Sequence, residues 1–146
     1  MKTIRQLFSQ LKRKLIKPKS PFLVVKHDVL IADGKPNKNG RCYNLKDVTY
    51  IPESVAIFDS FEDHKKVIGR STLVVDKDVI KGVSHITDSR IIQALRAGLP
   101  KPMYVVSQGW GDIDEKTNVV KNFSINGAIL TDDPSDPRQA PVSIVD

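Results

Sequence analysis

Ser107 lies in the stretch 103-MYVVSQGWGDID-114, after three residues that favour strands and before Gln108 and the triplet Gly109-Trp110-Gly111. A serine hydroxyl becomes a nucleophile when an imidazole takes its proton and N–H groups hold the developing oxyanion. A glycine just after the serine lets a substrate carbonyl approach backbone N–H groups with no Cβ in the way. An ordinary turn has the same composition, so spacing alone leaves both readings open. His64, in 61-FEDHKKVIG-69, is the candidate general base, because an imidazole titrates near neutrality. The competing reading is a solvated histidine in a charged loop. Trp110, the one tryptophan, is expected in the core.

Other chemistries find little footing. The three histidines, His27, His64 and His85, lack the HExxH spacing of a zinc helix. A lone cysteine, Cys42, cannot form an intrachain disulfide or a cysteine-based zinc site, and it fits a reducing compartment. No GxxxxGK[ST] or GxGxxG sequence is present, and no cofactor is expected. No apolar run approaches the ~20 residues of a membrane span, and Lys and Arg interrupt the N-terminal apolar residues too often for a signal peptide.

The elements that must position Ser107 are mostly strands. Residues 22–33 are β-rich, residues 33–44 carry turn chemistry, and a short helix near Leu45–Val48 precedes a short strand near Ser54–Phe58. Residues 67–86 resemble a hairpin turning at Asp76-Lys77-Asp78. Thr87 or Asp88 can cap a helix over residues 89–97, with Gly98 at its end and Pro100 beyond. A strand over 103–107 follows, then a hairpin turning at 115–118 into a strand over 119–130, and an irregular tail over 132–141. Strands outnumber helices and do not alternate with them, which excludes a doubly wound sheet. The expected fold is mainly β (α+β), a small closed or nearly closed barrel with flanking helices.

The net charge of +6 is unevenly distributed. Residues 1–20 carry seven basic side chains and no acid, whereas the rest of the chain carries 16 basic and 17 acidic side chains. Ile4, Leu7, Phe8, Leu11, Leu15 and Ile16 share one helical face, with Pro18 and Pro21 ending it. Residues 1–20 are therefore read as a basic amphipathic arm and residues 21–146 as one β domain. The arm either docks on its own domain or binds an acidic partner such as a scaffold protein, nucleic acid or lipid surface.

Taken in order, four stretches between residues 22 and 141 resemble the prohead maturation proteases of tailed phages. They are 37-NKNGRCYN-44, the His64 loop with 67-VIGR-70, 94-ALRAGLPKPMYVVSQGWG-111 and 127-GAILTDDPSDP-137. The resemblance implies a fold like that of herpesvirus assemblins. It also implies a serine endopeptidase with Ser107 as nucleophile and His64, 43 positions earlier, as base. Its substrates would be phage scaffold and major capsid proteins, cut inside the assembling procapsid in the host cytoplasm, with self-association and self-cleavage expected. The basic arm would bind scaffold and take the targeting role that family precursors give to a C-terminal extension. Where many members carry an acid before the closing Pro-x-x-Pro, this chain has 123-FSINGAI-129; Asn126 is the candidate third member, with Asp112, Asp114 and Asp132 as substitutes. An inactive structural component of the phage head is the alternative reading. A nucleic-acid binder working through its basic arm is the third.

Overall fold

The computed structural model describes residues 22–60, 66–98 and 101–145. His64 and the N-terminal arm lie outside these. The described chain is mainly β, a curled half-barrel with one α-helix. Ten strands run in the order β1 (Leu23–Ile31), β2 (Asp33–Pro36), β3 (Cys42–Asn44), β4 (Val48–Tyr50), β5 (Ser54–Asp59), β6 (Val67–Asp76), β7 (Val79–Ile86), β8 (Tyr104–Ile113), β9 (Val119–Thr131) and β10 (Ser143–Ile144). The helix α1 (Ser89–Ala97) joins β7 to β8, and a single 3-10 turn occupies Leu45–Asp47.

The spine is β9. One of its edges takes β3, β4 and β5 in succession, all parallel to it, and the other takes β8 antiparallel. From β5 the sheet continues through β6, β7 and β1 to β10 by antiparallel pairs. Curling returns β8 alongside β1 without a strand ladder between them, so the barrel has a seam there.

Period-two alternation selects the core. Val55 and Ile57 on β5, Ile80 and Ile86 on β7, and Val105 on β8 turn inward with Ile125 and Leu130 of β9, all buried. Each fully buried Ile or Leu contributes about 1.5–3 kcal/mol.

Helix α1 begins where its cap requires. The Asp88 carboxylate accepts hydrogen bonds from the Arg90 and Ile91 N–H groups, and Lys66 lies 2.7 Å away. That lysine, opposed in part by burial, holds the Asp88 carboxyl below the usual range. Gly98 takes φ 70° at the helix end, a conformation that favours glycine. Ile91, Ile92 and Leu95 pack against the barrel.

Three sequence expectations change. The 33–44 segment contains two short strands, β2 and β3, around a tight loop at residues 37–41. There Asn37 Oδ1 accepts from the N–H groups of Asn39 and Arg41, and Gly40 takes φ 78°. Strand β8 does not end at Ser107; it runs on to Ile113, because β9 continues to pair with it. Trp110 is 77% exposed rather than in the core.

Candidate functional site

Ser107 lies in the middle of β8, directly opposite Ala128 of β9, which in turn faces Ile57 of β5. Opposed residues share a face. Since Ala128 and Ile57 are buried, Ser107 also turns toward the barrel interior, half-buried. Among the described residues no hydrogen bond to its hydroxyl is found.

The seam beside Ser107 is closed at one end by the C-terminal tail. Gln139 donates its amide to the Asp28 carbonyl at 3.0 Å and to the Val105 carbonyl. The Ala140 N–H donates to the Asp28 carboxylate at 2.8 Å, and the Val142 N–H to the Met103 carbonyl at 2.7 Å. Arg138 clasps Asp33 and Asp136, each at 2.7 Å. Beyond Gln139, β1 and β8 part around a small recess of about 40 Å³, lined by Ser107, Val29, Ile31, Asn37, Arg41 and Gln139. It sits under the Asn37 loop, which the Lys38 N–H ties to the Ser135 carbonyl.

The two glycines after Ser107 have a packing role. A Cβ on Gly109 would lie 2.1 Å from the Ser124 carbonyl oxygen, and one on Gly111 would lie 2.7 Å from a Val120 methyl. Close approach of β9 therefore requires both positions to be bare. The pairing register shifts between Gln108 and Gly109 and again between Trp110 and Asp112, which bends the hairpin here.

Asn126 is exposed at the first of these bulges, between the buried residues Ile125 and Gly127. It stands on the outward side of β9, whereas Ser107 faces inward. The structure thus does not bring Asn126 to the face of the sheet that carries Ser107. Of the substitutes, Asp112 accepts from the Asn122 amide, Asp114 caps its own turn, and Asp132 lies 3.9 Å from Lys101.

Sequence reasoning missed a carboxylate. Asp59 ends β5 and is 1% exposed. It follows Val55 and Ile57 in the inward phase, and a charged residue in phase with core positions was the signal that could have found it. It stands opposite Leu130, which stands opposite Val105, two residues along β8 from Ser107. Its N–H donates to the Lys66 carbonyl at 3.0 Å, closing the neck of the 60–65 segment that contains His64.

The described chain also contains a serine–histidine pair elsewhere. His27 Nδ1 lies 2.9 Å from the Asp28 carbonyl, and Nε2 lies 2.6 Å from Ser84 Oγ. A carbonyl only accepts, so the ring carries its proton on Nδ1 and the Ser84 hydroxyl donates to Nε2. Burial, opposed by Asp28, pushes the His27 pKa down. Ser84 is 0% exposed, out of reach of a peptide carbonyl, so this pair is part of the core. Gly82 makes room for it: a Cβ there would lie 2.6 Å from His27 Cε1.

Among the described residues no group of His, Cys, Asp and Glu is arranged to hold a metal, and no helix is long and apolar enough to cross a membrane. No protein-family model, curated protein or solved structure matches the chain.

Proposed function

We propose that the chain is a serine endopeptidase of the prohead maturation type, with Ser107 as nucleophile and His64 as general base. The observation that carries this reading is the placement of Ser107: inward-facing, without a hydrogen-bond partner among the described residues, and beside a recess at the open seam. The chain also has the means to bring a histidine there. Asp59, which precedes the segment containing His64, belongs to β5, one step from β9; Val67, which follows that segment, belongs to β6, two steps away; and Ser107 lies on the other flank of β9. Two strand spacings and two residues separate Asp59 from Ser107, about 12 Å diagonally. The five residues from Asp59 to His64 span up to about 17 Å when extended.

In this mechanism His64 takes the Ser107 proton as the hydroxyl attacks the scissile carbonyl. It then returns a proton to the leaving amine. Asp59, in place of Asn126, is the carboxylate that orients the imidazole and stabilises its charged form. Since Gly109 and Gly111 are occupied by strand packing, the oxyanion donors belong nearer Ser107, with its own N–H the first candidate. The substrates are phage scaffold and capsid proteins, cleaved within the assembling procapsid.

The test is incubation of purified wild type and Ser107→Ala with the scaffold protein. The reading expects fragments from wild type alone; equal cleavage by both would remove Ser107 from the chemistry.

A further inference from the structure

Among the described residues, the most exposed aromatic side chains lie on the outward face of the sheet, away from Ser107. Trp110 is 77% exposed and Tyr50 57%. Trp110 on β8 and Tyr50 on β4 both stand opposite Ser124 of β9, one on each side. The two rings therefore rise from one face with a single small side chain between them. Two strand spacings put their backbones about 9.6 Å apart.

The surroundings of this slot are specific. Its floor is low: Ser124 is small, and further along β9 Gly127 has no side chain. Gln108 and Phe58 flank the bare Gly127 position, their nearest atoms 3.1 and 3.3 Å from where a Cβ would be. Gln108 and Asn126 are exposed amides along the same stretch. Asp112, Asp114 and Glu115 follow Trp110 in the chain, and nearby Lys121 is 3.5 Å from Asp47. Lys116 lies in the same turn and Lys121 stands opposite Asp112, so the carboxylates of Asp47, Asp112, Asp114 and Glu115 outnumber these two lysines, a modest acidic balance that favours a basic partner over a phosphate backbone.

A polyproline-II helix advances about 9.3 Å per three-residue turn and leaves all its carbonyls without internal hydrogen bonds. Prolines three residues apart would meet Trp110 and Tyr50 together, and the exposed amides would donate to the free carbonyls. This chain contains one such basic segment, 17-KPKSP-21, with prolines at 18 and 21 and lysines at 17 and 19. Proline fixes its own φ and drives the preceding residue to extended backbone, so the segment favours this conformation. It cannot serve its own slot. Pro21 is bonded to Phe22, whose ring lies 5.0 Å from that of His85 on β7, and β7 is three strand spacings, about 14 Å, from β9.

We propose that the Trp110–Tyr50 slot binds the Lys17–Pro21 segment of a second copy of this chain. The association is head-to-tail and independent of the reading of Ser107, because it uses the opposite face of the sheet.

Trp110 is the only tryptophan, so its fluorescence reports on the slot directly. A synthetic peptide of residues 14–22 is titrated into the full-length chain at high dilution. The expected result is a saturable blue shift that a peptide with Pro18→Ala and Pro21→Ala fails to produce at tenfold higher concentration, and that Tyr50→Ala weakens at least fivefold. Sedimentation of the full chain should show concentration-dependent self-association that Trp110→Ala abolishes. The proposal is overturned by no shift, by an equal shift from both peptides, or by a shift seen only with an oligosaccharide or a single-stranded oligonucleotide.

Discussion

Asp59 on β5 and Ser107 on β8 turn to the same inner face of the sheet, with β9 between them. One is a buried carboxylate at the neck of the segment that contains His64; the other is a hydroxyl beside the open seam. This relationship makes the two residues separable in experiment, because in the proposed mechanism one acts through the imidazole and the other attacks the substrate.

Asp59→Asn should lower kcat by about four orders of magnitude, the loss that the same change produces in a Ser-His-Asp triad, with KM little altered. The pH–rate profile should change as well, since the imidazole loses the charge that supports its protonated form. Asn126→Ala, at an exposed bulge, should leave kcat within about twofold. Steady-state kinetics on one peptide substrate, with thermal melts to verify folding, distinguishes the two. An active Asp59→Asn enzyme would dismiss Asp59 while leaving Ser107 and His64 in place.

Gly109→Ala should destabilise the fold by about 1–3 kcal/mol, the range for overpacking a closely packed site. The new methyl would meet the Ser124 carbonyl, and backbone cannot move aside as a flexible side chain can. Urea denaturation measures the change. A variant as stable as wild type would return the glycine to a role in the chemistry.

Gln139→Leu removes the amide that serves both the Asp28 and Val105 carbonyls. The Asp28 carbonyl keeps the His27 Nδ1–H, so the loss falls on the Val105 carbonyl, at about 1–3 kcal/mol for a buried group left unsatisfied. Amide hydrogen exchange should show the effect concentrated at the seam, in β1 and β8.

The His27–Ser84 pair predicts a pH dependence. Burial holds the His27 pKa below its ordinary value of 6.5, so the unfolded chain binds the proton more readily than the folded one. Stability is then fully present above about 6.5 and falls as pH drops below it, levelling out beneath the folded pKa. His27→Gln should flatten stability across that window, as read by urea midpoints measured at successive pH values. An unchanged pH profile would mean that another group controls it.

Much of the fold was legible because it is written locally. The helix Ser89–Ala97 has its cap, its apolar spacing and its terminal glycine in adjacent residues, and the Val67–Ile86 hairpin turns where Lys77 takes a positive φ. What escaped depends on distant partners. Nothing near Gly109 announces that β9 will carry β8 on to Ile113, and the parallel contacts of β3, β4 and β5 with β9 join residues about 70 positions apart. Ser107 and its glycines stood out by composition, but composition could not tell an oxyanion site from two strands in close approach. Asp59 was hidden for a different reason: its alternation with Val55 and Ile57 marks a core position, and only the fold shows which strand it sits beside.

The most direct measurement is labelling of the native protein with a fluorophosphonate, which reacts with activated serines, followed by peptide mass spectrometry. The account predicts one modified residue, Ser107, with labelling lost in His64→Ala although its melt is unchanged. Label on another serine, or equal labelling of Ser107 with and without His64, would contradict it.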